Sequence, residues 1–268
     1  MSPIDVKIED GIATVCINRP ERKNALSVAA TNGLTDAWEK IEADDSVRVA
    51  ILTSADCGVF SAGLDLKEQA QTPINPRVGG ALDEQRAVRD IMVAMRRCPQ
   101  PIISIVQGSA SGGGFAIALA SDIRLLTPDA RMNAAFIKLG LSGCDVGVSY
   151  FLPRMVGASV AAEYLLTGRF IDAERARELG LTSLVAPLEQ LHDHAEGLVA
   201  DMLRATPLGL RLTKEALGLA IDAQSLEAVV ALEDRNQILC IQDDDFREGV
   251  SAFLEKREPR YSADGEQS

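Results

Sequence analysis

The sequence has little histidine, little positive charge, no paired cysteine spacing and no long apolar run, and each shortage removes a class of protein. The only histidines are His192 and His194, far along a surface-like helical segment, which speaks against a triad with Ser109 or Ser111. Cys16, Cys57, Cys98, Cys144 and Cys240 are scattered, odd in number and without CxxC spacing. A disulfide framework or zinc site is therefore not expected, and a reducing compartment fits. Lys and Arg total 27 against 39 Asp and Glu, a net charge of −12. That balance disfavours nucleic acid as the main partner but leaves room for a small anion at a local cationic cluster. The first residues carry Asp5, Glu9 and Asp10, and nothing later reaches the roughly 18 consecutive apolar residues of a membrane span. The expected setting is cytoplasmic, with no membrane partner.

What is present is enough apolar material, 47% of 268 residues, for one large core with an appendage. The chain is organised around Pro101 to Asp122, PIISIVQGSASGGGFAIALASD. Ile102 to Val106 reads as a strand buried on both faces, Gly108 to Gly114 as a small-residue loop, and Phe115 to Ala120 as a buried helix. A strand feeding such a loop into a helix leaves unpaired N–H groups that could hold an anion or a developing oxyanion. Close packing of helix on strand explains the glycines equally well. No Lys-Ser/Thr follows them and GxGxxG spacing is absent, so this is not a phosphate loop.

In chain order, Val6 to Ile8 and Ile12 to Ile17 flank Asp10-Gly11 as a hairpin. A loop with Arg19, Arg22 and Lys23 leads to Ser27, the expected cap of a helix to Ala43 with Leu34, Trp38 and Ile41 on one face. Val47 to Thr53 returns as a strand, and the strand–helix–strand order predicts an α/β fold. Phe60 to Glu68 is a second small-residue loop entering a helix. If the strands before the two loops are neighbours, the loops converge into a two-donor oxyanion hole. Gln71 to Gly80 reads as a mobile loop before a helix from Ala81 to Arg97, together a candidate lid. Ile123 to Thr127 and Thr182 to Val185 read as strands. Val148 to Val156, Ala158 to Leu166 and Ala173 to Leu179 read as helices, the last capped by Asp172. From Leu188 onward four helices follow, ending with Phe246 to Arg257, and the tail after Pro259 is expected to fray.

Five ordered blocks carry a resemblance: NRPERKNAL at 18–26, FSAGLDLKE at 60–68, GSASGGGFAIALASDI at 108–123, LTGRFIDAERARELGL at 166–181 and DDFREGVSAFLEKREP at 244–259. On these the chain resembles the crotonase superfamily, the enoyl-CoA hydratase and isomerase group. The resemblance implies a spiral of ββα units over 1–205 and a helical oligomerisation and CoA-covering region over 206–268, assembled as a trimer or dimer of trimers. It implies an acyl-CoA thioester as substrate, with no separate cofactor and no metal, since coenzyme A arrives as part of the substrate. The oxyanion hole would be the N–H groups of Leu64 and Gly113. Arg22, Lys23, Ala25, Ala62, Asp65, Leu66 and Gly112 would line the acyl-CoA site, and Phe253 and Lys256 would help bind its nucleotide end.

Hydratases of this family carry a glutamate three residues beyond the middle glycine and another after the next strand. Here those positions are Ala116 and Phe136, neither of which can move a proton. Asp145 falls where some isomerases of the family carry an aspartate. It is expected either to shuttle a proton or to cap a helix beginning near Val146. Asp122 is expected to end a helix or pair with Arg124, Asp65 and Glu68 suit a helix first turn, and Cys144 reads as a small buried residue. The favoured function is isomerase-like proton transfer on an acyl-CoA. The alternatives are a CoA-thioester-binding protein without catalysis and a hydrolase using the same oxyanion hole.

Overall fold

The hairpin forms as expected: β1 (Ile4–Glu9) and β2 (Ile12–Ile17) pair antiparallel through Asp10 and Gly11, both at positive φ. The structure is a computed structural model and describes residues 2–73 and 75–261, so most of the tail expected to fray lies outside the described residues. Ser27 caps α1 (Val28–Glu42) by accepting the Ala30 N–H, and Leu34, Trp38 and Ile41 are buried along that helix. The chain then returns parallel to β2 as β3 (Val49–Ser54).

Next come β4 (Val59–Ser61), the short α2 (Leu66–Gln69) and α3 (Val78–Arg97). The last begins ahead of the expected Ala81 because the Asn75 side chain accepts the Arg77 N–H and turns the chain into the helix. β5 (Ile102–Val106), β6 (Ser109–Ser111) and α4 (Gly113–Ala120) make the central stretch, followed by β7 (Ile123–Leu126) and β8 (Arg131–Asn133). A 3-10 turn over Ala135–Leu139 leads on to α5 (Val148–Val156), α6 (Ala158–Thr167), β9 (Ile171–Asp172), α7 (Ala173–Glu178) and β10 (Leu184–Val185). Four helices close the chain: α8 (Leu188–Leu203), α9 (Pro207–Ala220), α10 (Leu226–Gln242) and α11 (Asp244–Glu255).

The strands form two sheets, ordered β1-β2-β3-β5-β7-β10 and β4-β6-β8-β9. In the pairs β3/β4, β5/β6 and β7/β8 the first strand joins the larger sheet and the second the smaller, with helix following, which is a ββα spiral. β5, apolar but for the buried Ser104, is covered on both faces. Ile102 and Val106 enter the main core with Trp38, Phe60 and Phe115, while Ile103 and Ile105 pack on the other face beneath Leu191, Ala195 and Val199 of α8. α4 is buried along its whole length, so its apolar residues show no polar side.

Asp122 pairs differently from expectation. Its carboxylate meets Arg96 at 2.6 Å and Lys214 of α9 at 2.8 Å and accepts the Ile102 N–H at 2.8 Å, whereas Arg124 reaches only its main-chain oxygen. The buried Lys214 also donates to the Gln100 carbonyl at 2.8 Å, fixing α9 to the core by a paired internal charge. Burial pushes the Lys214 ammonium down from its ordinary value and Asp122 opposes that. Beyond this anchor, α9 to α11 expose Leu217, Ile221, Leu226, Ile238, Phe253 and Leu254.

Candidate active site

β3 and β5 are neighbours, as are β4 and β6, so the loops after them meet. Leu26 sets the orientation of the first. Its N–H donates to the Gly63 carbonyl at 2.8 Å and its carbonyl accepts the Asp65 N–H at 3.0 Å. In such a parallel bridge the intervening residue turns its own N–H to the opposite edge. Leu64 N–H therefore faces away from Leu26 and has no backbone partner among the described residues.

On the second loop the Gly112 N–H is taken by the Asn133 carbonyl at 2.9 Å, which leaves Gly113, the first residue of α4, as the first amide without a backbone partner among the described residues. The two loops touch. A Cβ at Gly63 would come 2.5 Å from the Ser111 carbonyl oxygen and 3.3 Å from the Gly113 nitrogen, so residue 63 must be glycine on space as well as on its φ of 80°. Gly112, at φ 54° and ψ −116°, adopts a backbone geometry that side chains resist. The glycines therefore allow the close approach of the two loops, next to which the Leu64 and Gly113 amides have no backbone partner among the described residues.

Two side chains with no local signature in the sequence build this arrangement. Asn24 is buried at positive φ, donates to the carbonyls of Ala55 and Val59 at 2.9 and 2.8 Å, and accepts the Arg19 N–H. Ser61 Oγ donates to the Asn24 carbonyl at 2.8 Å and accepts the Gly63 N–H at 3.2 Å. Asn24 lies inside the NRPERKNAL block and Ser61 inside FSAGLDLKE, so the motifs contained them.

Asp65 is buried and fully engaged. It pairs with Arg22 at 2.8 Å and Arg19 at 3.0 Å and caps α2 by accepting the Lys67 and Glu68 N–H groups. Burial works to raise its pKa, but hydrogen bonds from Arg22, the Glu68 amide and Arg19 outweigh it and hold the carboxyl at about 2. Glu68 in turn accepts the Val28 N–H at 3.1 Å, tying α2 to the start of α1.

Of the remaining residues on these loops, Ala25 and Gly112 are buried, while Lys23, Ala62, Leu64 and Leu66 are exposed. Lys23 makes no ion pair among the described residues, unlike Arg22. Phe253 and Lys256 are not brought to these loops within one chain. Glu258, just beyond them, meets Arg204, and Arg48 donates to the Ala205 carbonyl, so the end of α11 lies by the start of β3. The free amides follow the opposite end of that strand.

Ala116 is buried in the core, and the Phe136 ring packs over Gly112, so its edge would lie 3.3 Å from a Cβ there. Neither offers a proton-transfer group. Asp145 is half-buried on the loop before α5. Its Oδ1 accepts the Gln85 side-chain N–H of α3 at 2.6 Å and the Val146 N–H at 2.8 Å. The expected helix cap is not found: α5 begins at Val148 behind Gly147, with no side-chain cap. Cys144 is exposed rather than buried. Among the described residues no group of three or more His, Cys, Asp or Glu could hold a metal, and no helix is long and apolar enough to cross a membrane.

Two free amides at the entrance of a buried helix can hold a carbonyl oxygen as it gains negative charge. Comparisons with known proteins identify the family. The structure superposes on a crystal structure of an enoyl-CoA hydratase from Bacillus anthracis with a TM-score of 0.91, at 31% identity, covering 98% of this chain and 100% of that one. The fold is therefore that of the crotonases. The probable enoyl-CoA hydratase EchA12 of Mycobacterium tuberculosis is 39% identical over 94% of this chain and 90% of its own length. The 1,2-epoxyphenylacetyl-CoA isomerase of Escherichia coli is 34% identical over 95% and 96%. The family model for enoyl-CoA hydratase/isomerase matches residues 7–264, and the chain belongs to that family of acyl-CoA enzymes.

Proposed function

We propose that this chain is an acyl-CoA isomerase that moves a double bond by one-base proton transfer. The thioester oxygen accepts hydrogen bonds from the N–H groups of Leu64 and Gly113. The Asp145 carboxylate removes a proton from the carbon next to the thioester; the C–H pair spreads into a dienolate whose charge rests on the held oxygen. The same carboxyl returns the proton to the far end of the conjugated system. Atoms balance without water, and regenerating the carboxylate closes the cycle.

The observation that carries this reading is the chemistry left at the two hydratase positions: a buried Ala116 and a Phe136 stacked on Gly112, with Asp145 keeping one oxygen uncommitted. Similarity to a hydratase and an isomerase alike does not decide between them, whereas proton-transfer groups do. Lys23 supplies cationic charge for the CoA phosphates, and the exposed apolar residues of α9 to α11 are the trimer surface. Since the end of α11 lies at the far end of β3, Phe253 and Lys256 would meet CoA bound to a neighbouring copy.

The test incubates purified protein with 3-enoyl-, 2-enoyl- and dienoyl-CoA thioesters in deuterated water and follows products by mass spectrometry. The expected result is double-bond migration with deuterium entering the acyl chain and no gain of water. Binding without turnover, unchanged by Asp145→Asn, would make the chain a thioester-binding protein. Release of free thiol would make it a hydrolase.

A further inference from the structure

We infer that Gln85 is a positioning residue that fixes which oxygen of Asp145 works, coupling the base to helix α3; this rests on the isomerase reading above. The Gln85 amide and the Val146 N–H converge on one atom, Oδ1, at 2.6 and 2.8 Å. Oδ2 has no hydrogen-bond partner among the described residues. A carboxylate with two donors on one oxygen takes up a proton on the other, because protonating Oδ1 would displace a donor. Oδ2 is thus the atom that receives the substrate proton and gives it back, while Oδ1 stays tethered in both protonation states.

The local backbone supports such a role. Val146 has a φ of 40°, a left-handed geometry that a β-branched side chain resists, and Gly147 follows at 94°. The Asp145 carbonyl then accepts the Val148 N–H at 3.0 Å, so a short strained turn presents Asp145 from the base of α5. Within this turn the Val146 N–H holds Oδ1 from the Asp145 backbone side. Gln85 supplies a second donor to the same atom from α3, so the rotation of the carboxylate is set from two elements.

The tether also explains an oddity of α3. Its buried residues, Ile91, Met92 and Met95, all lie in its second half. Among the described residues, the first half reaches beyond its own neighbourhood by one side-chain hydrogen bond, Gln85 to Asp145; Asp83 and Arg86 pair within the helix, and Glu84 accepts from Asn75 just ahead of it. The lightly anchored half of the helix is therefore pinned at the base itself. Placing the first half of α3 and orienting the Asp145 carboxylate are thus linked through one hydrogen bond.

The experiment compares wild type, Gln85→Leu, Asp145→Asn and the double variant, reading kcat, KM and solvent-deuterium entry with 3-enoyl-CoA. Gln85 is exposed, so Gln85→Leu is expected to fold with an unchanged thermal midpoint. It should lower kcat and deuterium entry about tenfold, the worth of one hydrogen bond to a charged group, and leave KM unchanged. In the Asp145→Asn background it should add nothing. A wild-type kcat for Gln85→Leu, an effect on KM alone, or an equal further loss in the double variant would overturn the positioning role while leaving the isomerase reading intact. Undiminished turnover by Asp145→Asn would overturn both.

Discussion

Asp65 and Asp145 both stand on loops that open into helices, yet their surroundings could hardly differ more. Around Asp65 two guanidinium groups and two amides use both oxygens, and the carboxyl is held at about 2. Around Asp145 there is no cation partner among the described residues, and both hydrogen bonds fall on one oxygen. The first arrangement freezes a loop, because a saturated buried ion pair has no capacity left for a substrate. The second keeps a carboxylate oriented but unspent, which is what a proton carrier needs. Position in a motif therefore separates these residues less well than the count of donors each already satisfies.

The largest expected effect tests the unspent carboxylate. Asp145→Asn should lower kcat about a thousandfold, within the usual contribution of a positioned acid or base. Its urea midpoint should stay at the wild-type value, since the amide can still accept from Gln85 and Val146 through its oxygen. The saturated carboxylate should behave in the opposite way. Asp65→Asn strands the charges of Arg19 and Arg22 and weakens the α2 cap, a loss of about 3 kcal/mol in denaturant unfolding. Turnover falls with it, because Asp65 and Leu64 belong to the same bridge to Leu26. Equal loss of stability in the two variants would erase the distinction.

How much of this was legible beforehand follows the same division. The hairpin declares itself through its turn residues and alternation, β3 and β5 through their apolar-rich stretches, and the helix starts at Ser27 and Asp172 through their caps. The smaller sheet does not. β4, β6 and β8 are three residues each and made partly of serine, alanine and asparagine, too short for an alternating signal, so they read as loops. The convergence at Leu64 and Gly113 could be anticipated from two small-residue loops after neighbouring strands. The scaffold beneath it could not: Asn24 and Ser61 act through bonds to residues 31, 35 and 37 positions away, which no local pattern records. Likewise the Lys214 to Asp122 pair joins elements far apart in the chain, and the nearby Arg124 drew the expectation instead.

A smaller effect comes from acid. Because the folded carboxyl of Asp65 titrates at about 2, below the ordinary value near 4, its contribution to stability is complete above about pH 4 and is lost as the pH falls through the folded value. Unfolding free energies measured between those limits should decline less steeply in Asp65→Asn than in wild type. An identical decline in both would show that Asp65 is not held in its ionised form by the two arginines.

The smallest effect separates two neighbouring cations. Arg22 is committed to Asp65, whereas Lys23 is exposed, sits at the αL turn that ends the short 3-10 helix Pro20–Arg22, and makes no ion pair among the described residues. A committed cation and a free one should fail differently. Lys23→Gln is expected to raise KM for an acyl-CoA about fivefold, the worth of one solvent-screened contact with a phosphate, with kcat and stability unchanged. Arg22→Gln should lower stability instead, because it removes one of the two charges that neutralise a buried carboxylate. The KM effect of Lys23→Gln should shrink as salt is added, since ions screen an exposed charge at this range. The stability loss in Arg22→Gln should persist, because its partner is shielded from those ions. If salt erased both differences alike, Arg22 and Lys23 would be equivalent surface charges, and the contrast between spent and unspent groups would stop at Asp145.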